Sequence, residues 1–255
     1  MFYRSNLQKT DSQAGGFKMA KITEAIFLAG GLGTRLRPVV TDVPKPMADI
    51  NGKPFLHYLI RLYAGQGVTH IVLSVGHLYQ SIKNYFGSSY EGVRISYSIE
   101  DHPLGTGGAI VKAMSNTETD DVFVVNADTL FDVNLNEISD FHRDKKSIMT
   151  LVVREVDNIN RYGSVMLDDN SKITGFTEKG QGSGNGFING GVYIFNKSFF
   201  SGFKFPENFS IEKDFFEKYY RYYTFFAKVC HDYFIDIGIP EDYSRARKQL
   251  PLMFE

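Results

Sequence analysis

The sequence lacks the features that mark secreted and membrane-spanning proteins. Its 255 residues contain one cysteine, Cys230, which excludes an internal disulfide and favours a reducing cytoplasm. No apolar run reaches the roughly 18 residues that a membrane-spanning helix needs. Residues 1–20 are polar and have no apolar segment of the kind found in signal peptides. We therefore expect a cytoplasmic protein with no membrane partner.

An excess of charge of either sign is also missing. The chain has 28 Lys and Arg against 29 Asp and Glu, a net charge of −1, which gives no electrostatic support for nucleic-acid binding. What is present is the composition of an ordinary globular chain, 43% hydrophobic and 22% charged. Because Cys230 lies in an apolar run at 225–230, we expect it to be a small core residue rather than a nucleophile.

Short apolar strands alternate with helical segments from residue 24 onward. This pattern predicts βαβ units and a parallel sheet covered by helices on both faces. After residue 145 the chain becomes rich in strands, without a repeat or a low-complexity linker. We expect residues 1–21 to form a disordered arm and residues 22–255 to form one domain, divided into halves at 22–145 and 146–255.

A strand runs into a glycine-rich loop at residues 25–38, AIFLAGGLGTRLRP, and such loops commonly bind phosphate. A Walker A loop requires G-x-x-x-x-G-K-[ST], which these glycines do not start. A dinucleotide-binding loop requires a third glycine where this chain has Leu36. What remains is a loop whose amides and arginines face a highly charged anion such as a nucleoside triphosphate. Arg35 is the expected contact, and Arg37 is either a second contact or an outward charge at the end of the loop.

The segment VPKPM at 43–47 holds Lys45 between two prolines, which fix the backbone around it. Taken alone, this pattern is more typical of a surface lysine in a stiff loop. Together, however, LAGGLGTRLRP and PKPM resemble the signature of the nucleoside-diphosphate-sugar pyrophosphorylases, also called sugar-1-phosphate nucleotidyltransferases. The resemblance covers nearly the whole chain after residue 22. It implies an α/β, Rossmann-like three-layer nucleotidyltransferase fold with a mixed, mainly parallel central sheet.

The resemblance also implies an enzyme in which a sugar 1-phosphate attacks the α-phosphorus of a nucleoside triphosphate and pyrophosphate leaves. Positioning, cations and Mg²⁺ supply most of the catalysis in such a reaction. The first half of the domain would bind the nucleotide, and the second half would bind the sugar phosphate. The catalytic cations implied are Arg35, Lys45 and Lys179.

The remaining site residues are carried by the same resemblance. The nucleotide-binding set is Leu28, Gly30, Gly31, Gly33, Thr34, Gly105 and Thr106. The sugar-phosphate set is Gly163, Glu178, Lys179, Asn189 and Gly191. The Mg²⁺ ligands are Asp128 and Asp236. Asp128 follows an apolar strand, at the edge where open α/β sheets bind ligands, and carboxylates suit this hard cation. Glu100 and Asp101 are candidates for reading the base.

Within the family, the sequence most resembles the members that transfer GMP to a heptose 1-phosphate. Four further segments carry this resemblance: ADINGKPFLHYLI, LSVGH, SIEDHPLGTGGAI and NADTLFDVNL. The implied substrates are GTP and D-glycero-D-manno-heptose 1-phosphate, and the implied role is bacterial surface glycan synthesis (capsule, lipopolysaccharide or S-layer). One alternative is transfer from GTP, UTP, CTP or dTTP to another sugar 1-phosphate, such as mannose or glucose 1-phosphate. A second is a non-catalytic sugar-nucleotide-binding regulator, which we expect to lack a metal aspartate or the loop arginine.

An aromatic segment, FFEKYYRYYTFF at 215–226, has more apolar surface than one helix face can bury. A helix is predicted over residues 211–223. Core packing within the domain is one explanation of the aromatic excess, and a homodimer contact is the other.

Overall fold

The computed structural model describes residues 21–31, 43–160, 163–177 and 183–255. The strands of these residues are β1 (Glu24–Leu28), β2 (Asp49–Ile50), β3 (Lys53–Pro54), β4 (His70–Val75), β5 (Ser89–Tyr90), β6 (Val93–Ile99), β7 (Asp121–Asn126), β8 (Thr129–Phe131), β9 (Met149–Val156), β10 (Ser164–Leu167), β11 (Ile173–Thr177), β12 (Gly186–Asn196), β13 (Phe226–Val229) and β14 (Phe234–Asp236). The α-helices are α1 (Phe55–Gly65), α2 (Tyr79–Phe86), α3 (Gly105–Met114), α4 (Leu135–Asp144), α5 (Lys197–Ser201), α6 (Glu217–Tyr219) and α7 (Pro240–Met253).

The central sheet has the strand order β11-β10-β12-β7-β1-β4-β6-β5, and β9 pairs with both β12 and β13. Four adjacent strands, β7, β1, β4 and β6, are parallel. Their neighbours β12 and β5 run antiparallel to them. The sheet is therefore mixed, with a parallel centre, and the predicted fold class is confirmed. Two small two-stranded sheets, β2 with β3 and β8 with β14, lie outside this sheet.

The parallel strands are buried on both faces, as their nearly continuous apolar sequences require. Along β1, Phe27 faces a core that includes α1, α2 and α7, whereas Ile26 faces a second core that includes α3. Both side chains have 0% exposure. Because alternate residues of one strand enter different cores, the domain has three layers: helices, sheet and helices.

The helix predicted at 211–223 is present over residues 211–219, but most of it is not α-helical and its last four residues are not helical. The structure has a π-helical turn at Ile211–Phe216, the short α6 at Glu217–Tyr219, and no helix over residues 220–223. The wider turn brings the consecutive residues Phe215 and Phe216 into the same core, where both have 0% exposure. The phenylalanines Phe215, Phe216 and Phe225 of the aromatic segment thus pack within the domain, while Tyr222 is 79% exposed. A homodimer stays a prediction.

The predictions for Cys230 and for the expected arm at residues 1–21 have different outcomes. Cys230 is confirmed as a core residue, and burial raises the pKa of its thiol to about 11. Residues 1–20 of the expected arm lie outside the described residues, while the ammonium of Lys21 donates a 2.7 Å hydrogen bond to the carbonyl of Gln66. Among the helices of the described residues, none has the length and apolar character needed to cross a membrane.

Candidate active site

A cleft of about 930 Å³ opens where the four parallel strands end. Each strand delivers residues to it as the backbone leaves the sheet, which is the usual position of ligand sites in open α/β sheets. Seven residues of the predicted site line the cleft: Leu28, Gly30, Gly31, Lys45, Gly105, Thr106 and Asp128. The predicted nucleotide half of the site is therefore brought together in one place for the residues that the structure describes.

Several predicted residues lie outside the described residues. They are Gly33, Thr34, Arg35 and Arg37 in the glycine-rich loop, and Glu178 and Lys179 in the sugar-phosphate set. Their assignments stay predictions.

Lys45 occupies a short 3₁₀ turn, Lys45–Met47, which the rigid Pro44 precedes. The turn is closed by a 2.7 Å hydrogen bond from the backbone N–H of Met47 to the carbonyl of Pro44. The Lys45 side chain is only 7% exposed, and its Nζ lies 2.6 Å from Oδ2 of Asp128 and 3.4 Å from Oδ1 of Asp236. Lys45 is therefore an oriented cation within the cleft, rather than a surface lysine.

The two aspartates meet because β8 and β14 pair antiparallel, with Asp236 opposite Thr129. A hydrogen bond of 3.0 Å from the N–H of Ile237 to the carbonyl of Asp128 extends this pairing. Gly238 donates its N–H to Oδ1 of Asp236 at 2.7 Å. A Cβ at Gly238 would lie 2.9 Å from that oxygen and 3.3 Å from Nζ of Lys45, so this position has no room for a side chain.

The cluster of Lys45, Asp128 and Asp236 has two carboxylates and one ammonium. Burial raises the pKa of Asp236, the negative charge of Asp128 raises it further, and Lys45 opposes both effects. Among the described residues, no set of three or more His, Cys, Asp and Glu side chains is grouped to hold a metal. Two carboxylates with a surplus negative charge fit Mg²⁺, which is usually held by one or two carboxylates together with substrate phosphates and water.

Glu100 lies beside the first glycine of the loop. A Cβ on Gly30 would be 2.7 Å from its Oε1, so a larger residue at position 30 would displace the Glu100 carboxylate. Oε1 accepts a long hydrogen bond, 3.3 Å, from the hydroxyl of Ser74, and Oε2 accepts one of 3.1 Å from the N–H of Leu104. Both Glu100 and the other base-reading candidate, Asp101, line the cleft.

Gly105 and Thr106 begin α3 and also contact the segment before the π-helical turn. Gly105 has φ +68, and a Cβ there would lie 2.5 Å from the carbonyl oxygen of Phe209. The hydroxyl of Thr106 accepts a 2.9 Å hydrogen bond from the N–H of Ile211. The requirement for glycine at position 105 therefore comes from backbone packing inside the protein, although the residue also faces the cleft.

Asn189, Gly190 and Gly191 form a bulge in β12, where the register to β9 shifts. Gly191 has φ +71, and a Cβ on it would meet the side-chain amide of Asn126 at 3.0 Å. Oδ1 of Asn189 accepts a 2.9 Å hydrogen bond from the N–H of Gly191. Gly163 immediately precedes Ser164, which pairs with Ile188, and it thus lies at the same end of β12. The three predicted sugar-set residues that the structure describes are neighbours there.

Several polar residues of the cleft were missed by sequence reasoning, among them Asn126 and Glu212. Asn126 ends β7 two residues before Asp128, so its position beside a predicted ligand was a usable signal. Glu212 had no such signal, because the predicted helix gave it no particular partner. In the structure, Nδ2 of Asn189 donates a 3.1 Å hydrogen bond to its Oε1. Desolvation raises the pKa of Glu212, an effect that the hydrogen bond from Asn189 opposes.

The fold, the glycine-rich strand end and the Lys45 cluster are those of a phosphate-transfer site. The chain belongs to the nucleotidyl transferase family, whose model matches residues 24–251. This confirms the family resemblance and the assignment as a nucleotidyltransferase enzyme.

Two relatives and one solved structure are similar over most of the chain. The chain is 48% identical over 227 residues to D-glycero-alpha-D-manno-heptose 1-phosphate guanylyltransferase of Aneurinibacillus thermoaerophilus, covering 89% of this chain and 98% of that protein. It is 40% identical to the protein of the same name from Campylobacter jejuni, covering 86% and 96% of the two chains. The crystal structure of HddC from Yersinia pseudotuberculosis has a TM-score of 0.81 and 38% identity, covering 89% of this chain and 99% of that one. HddC has also been solved in complex with GMP-PN, and that structure has a TM-score of 0.79.

Proposed function

We propose that the protein transfers GMP from GTP to D-glycero-D-manno-heptose 1-phosphate, giving GDP-D-glycero-D-manno-heptose and pyrophosphate. The observation that carries the proposal is the cluster of Lys45, Asp128 and Asp236, in which Lys45 and Asp128 line a cleft at the carboxyl edge of the parallel strands. The choice of guanine and heptose rests on the similarity to two guanylyltransferases along nearly their whole length. The product would be an activated heptose for bacterial surface glycans, made in the cytoplasm.

The nucleotide is proposed to lie along the glycine-rich loop. Gly30 and Gly31 offer backbone and space for its phosphates, and the undescribed Arg35 is proposed to neutralise the leaving pyrophosphate. Guanine presents an N1–H and an exocyclic amine, both donors, and a carboxylate is a fitting acceptor for them. Glu100 supplies such a carboxylate at the cleft, beside Gly30.

The reaction needs charge neutralisation and alignment more than it needs covalent chemistry. A phosphate oxygen of the sugar 1-phosphate forms a bond to the α-phosphorus of GTP as the bond to the pyrophosphate oxygen breaks. Lys45 is held in place to bind phosphate oxygens, since its backbone is fixed and its stem is buried. Mg²⁺, bound by Asp128 and Asp236, would supply further positive charge at the phosphates. Lys179 is proposed to hold the attacking phosphate.

The test is pyrophosphate release with GTP, UTP, CTP and dTTP, each against heptose, mannose and glucose 1-phosphates and with Mg²⁺ present. The expected result is fastest turnover with GTP and the heptose 1-phosphate. Turnover with another pair would correct the substrates and keep the reaction class. Absence of pyrophosphate with every pair, from protein that binds GTP, would contradict the enzyme proposal and favour a non-catalytic binding protein.

A further inference from the structure

Glu212 is a carboxylate of the cleft that the reaction described above does not use. It lies in the π-helical turn Ile211–Phe216, a backbone form that is rare and frequently found at functional sites. Its side chain lines the same cleft as Asp128, so a ligand there can reach it. Oε1 accepts the hydrogen bond from Asn189, and among the described residues no donor is recorded on Oε2. One carboxylate oxygen is therefore left for a ligand.

Asn189 has little capacity left for a ligand of its own. Its Nδ2 donates both to Glu212 and, at 2.7 Å, to the hydroxyl of Tyr193. Its Oδ1 accepts from the N–H of Gly191. Since an amide has two donors and two acceptor positions, only one acceptor position remains. The geometry makes Asn189 the residue that holds Glu212 in place.

This arrangement is anchored in the core next to β7, the strand that leads to Asp128. Tyr193, whose hydroxyl accepts from Asn189, is only 1% exposed and pairs with Val124 of β7. Gly190 and Gly191 are needed for the bulge, because a Cβ on Gly190 would lie 2.7 Å from the ring of Phe131. The carboxylate of Glu212 is thus fixed relative to the strand that leads to Asp128.

We propose that the carboxylate of Glu212 accepts a hydrogen bond from one hydroxyl group of the sugar 1-phosphate and so selects for that hydroxyl. Asn189 is the positioning residue that holds Glu212 in place. A carboxylate repels phosphate groups, and the carboxylate proposed for guanine is that of Glu100. The sugar is assigned to Glu212 because Asn189, which donates to it, belongs to the predicted sugar-phosphate set. Sugar hydroxyls are donors, and hydrogen bonds to a charged acceptor are strong and directional. A site built to bind a hydroxyl discriminates against the analogue that lacks it. The inference rests on the proposed function for the identity of the reaction.

The test measures discrimination between the sugar 1-phosphate and its monodeoxy analogues, each lacking one hydroxyl. The assay uses whichever nucleotide and sugar pair the wild-type protein turns over fastest, so an error in the heptose or GTP assignment leaves it intact. We expect one deoxy analogue to lose on the order of 10- to 100-fold in kcat/KM with the wild-type protein. In Glu212→Gln that loss should fall to within about threefold, while losses at other hydroxyls persist.

The matched control is Glu217→Gln, the same substitution in the next helical segment, away from the cleft lining. It should discriminate as the wild type does, and the GTP affinity of all variants should be unchanged. Asn189→Ala should weaken discrimination at the same hydroxyl as Glu212→Gln. If Glu212→Gln does not fold, discrimination by Asn189→Ala tests the proposal in its place, and an unchanged pattern would overturn it. An unchanged discrimination pattern in Glu212→Gln, or the same change in Glu217→Gln, would overturn the proposal.

Discussion

The two ends of the parallel strands both contain carboxylates paired with a buried basic side chain, yet they use them in opposite ways. At the amino end, Glu24 of β1 faces His70 of β4, whose Nδ1 donates to Oε1 of Glu24 at 2.6 Å. At the carboxyl end, Asp128 and Asp236 share the ammonium of Lys45. The first pair lies under a closed surface, while the second opens to a cleft of about 930 Å³.

The amino end is saturated with hydrogen bonds from the protein itself. Besides His70, the carboxylate of Glu24 accepts from the N–H groups of Glu118 and Thr119 and from the hydroxyl of Thr119. Nε2 of His70 is 2.9 Å from the hydroxyl of Ser96. Glu24 and His70 are 4% and 3% exposed, so the group is closed to ligands, and it ties β1 to β4 and to the chain entering β7.

At the carboxyl end the protein leaves charge and hydrogen-bonding capacity unmatched. Carboxylates outnumber ammonium groups around Lys45, and Glu212 keeps a carboxylate oxygen for the cleft. Burial of a charged group therefore does not by itself indicate a functional role. A charge whose partners are all internal stabilises the fold, and one with unmatched capacity at a strand end is a ligand-binding group.

The largest effect is expected from Asp128→Asn, which removes a negative charge at the carboxyl end and leaves the amino end unchanged. We expect kcat to fall on the order of 10³-fold, which corresponds to about 4 kcal/mol of transition-state stabilisation. The thermal unfolding midpoint should stay near that of the wild type, because the side chain is 37% exposed. Pyrophosphate release over a range of Mg²⁺ concentrations, together with thermal unfolding, measures both.

The control for this variant is Asp132→Asn, since Asp132 follows β8, four residues along the chain, and lines a different depression. It should turn over as the wild type does. More than a tenth of the wild-type kcat remaining in Asp128→Asn would contradict the metal-binding role.

At the amino end, Glu24→Gln should cost stability and spare catalysis. Burial raises the pKa of Glu24, but its hydrogen bonds outweigh burial and leave the pKa below its ordinary 4.5. The contribution of the ionised Glu24 carboxylate to the free energy of unfolding is therefore complete above pH 4.5, and it is lost as pH falls through the lowered pKa. We expect the free energy of unfolding at pH 7 to fall by about 2 kcal/mol. Urea unfolding at several pH values measures this.

The same series should show a weaker dependence of stability on pH below 4.5 for Glu24→Gln than for the wild type. Glu118→Gln is the control, because that side chain is 73% exposed and pairs only with Arg94 among the described side chains. Its free energy of unfolding should change by less than about 1 kcal/mol. A large loss of kcat in Glu24→Gln at a temperature where it is folded would contradict the division between the two ends.

Gly191→Ala tests the link between fold and cleft. Both strain at φ +71 and crowding of the Asn126 amide should lower the free energy of unfolding, by about 1–2 kcal/mol. Gly184→Ala is the matched control, with φ +83 and no heavy atom within 4 Å of the added Cβ. Both variants should lose stability, but only Gly191→Ala should raise the KM for the sugar 1-phosphate. Equal KM values in steady-state assays would argue against a positioning role for the bulge.

The smallest expected effect is that of Glu100→Gln on base choice. The kcat/KM for GTP should fall by about tenfold, because the amide replaces a charged acceptor with a neutral one. Turnover of ATP, which lacks both guanine donors, should not fall. Asp101→Asn, which changes the other candidate, should leave the ratio of GTP to ATP turnover unchanged. A fall of that ratio in Asp101→Asn and not in Glu100→Gln would assign the contact with guanine to Asp101.

Much of this arrangement was predictable because it depends on local patterns. The apolar strands, the rigid PKPM segment and the aspartates at strand ends have signatures within a few residues. Lys45 and Asp236 were assigned to one site although 191 positions separate them, since the family motif carries both. Their placement follows from the pairing of β8 with β14, which no short pattern reveals.

The residues that escaped prediction depend on tertiary contacts. Glu212 reaches Asn189 only because a π-helical turn replaces the α-helix that the sequence favours. The glycine at position 105 is explained by the carbonyl of Phe209, which lies far away in the sequence. Tertiary packing overrode local propensity in the first case and supplied an unforeseen neighbour in the second.

The most direct test of the account is a crystal structure of the protein with Mg²⁺ and the GDP-heptose product. The account predicts the diphosphate between Gly30 and Asp128, a metal ion on Asp128 and Asp236, guanine at Glu100 and a sugar hydroxyl on Glu212. A sugar nucleotide bound outside the cleft, or with the two aspartates contacting neither metal nor phosphate, would contradict it.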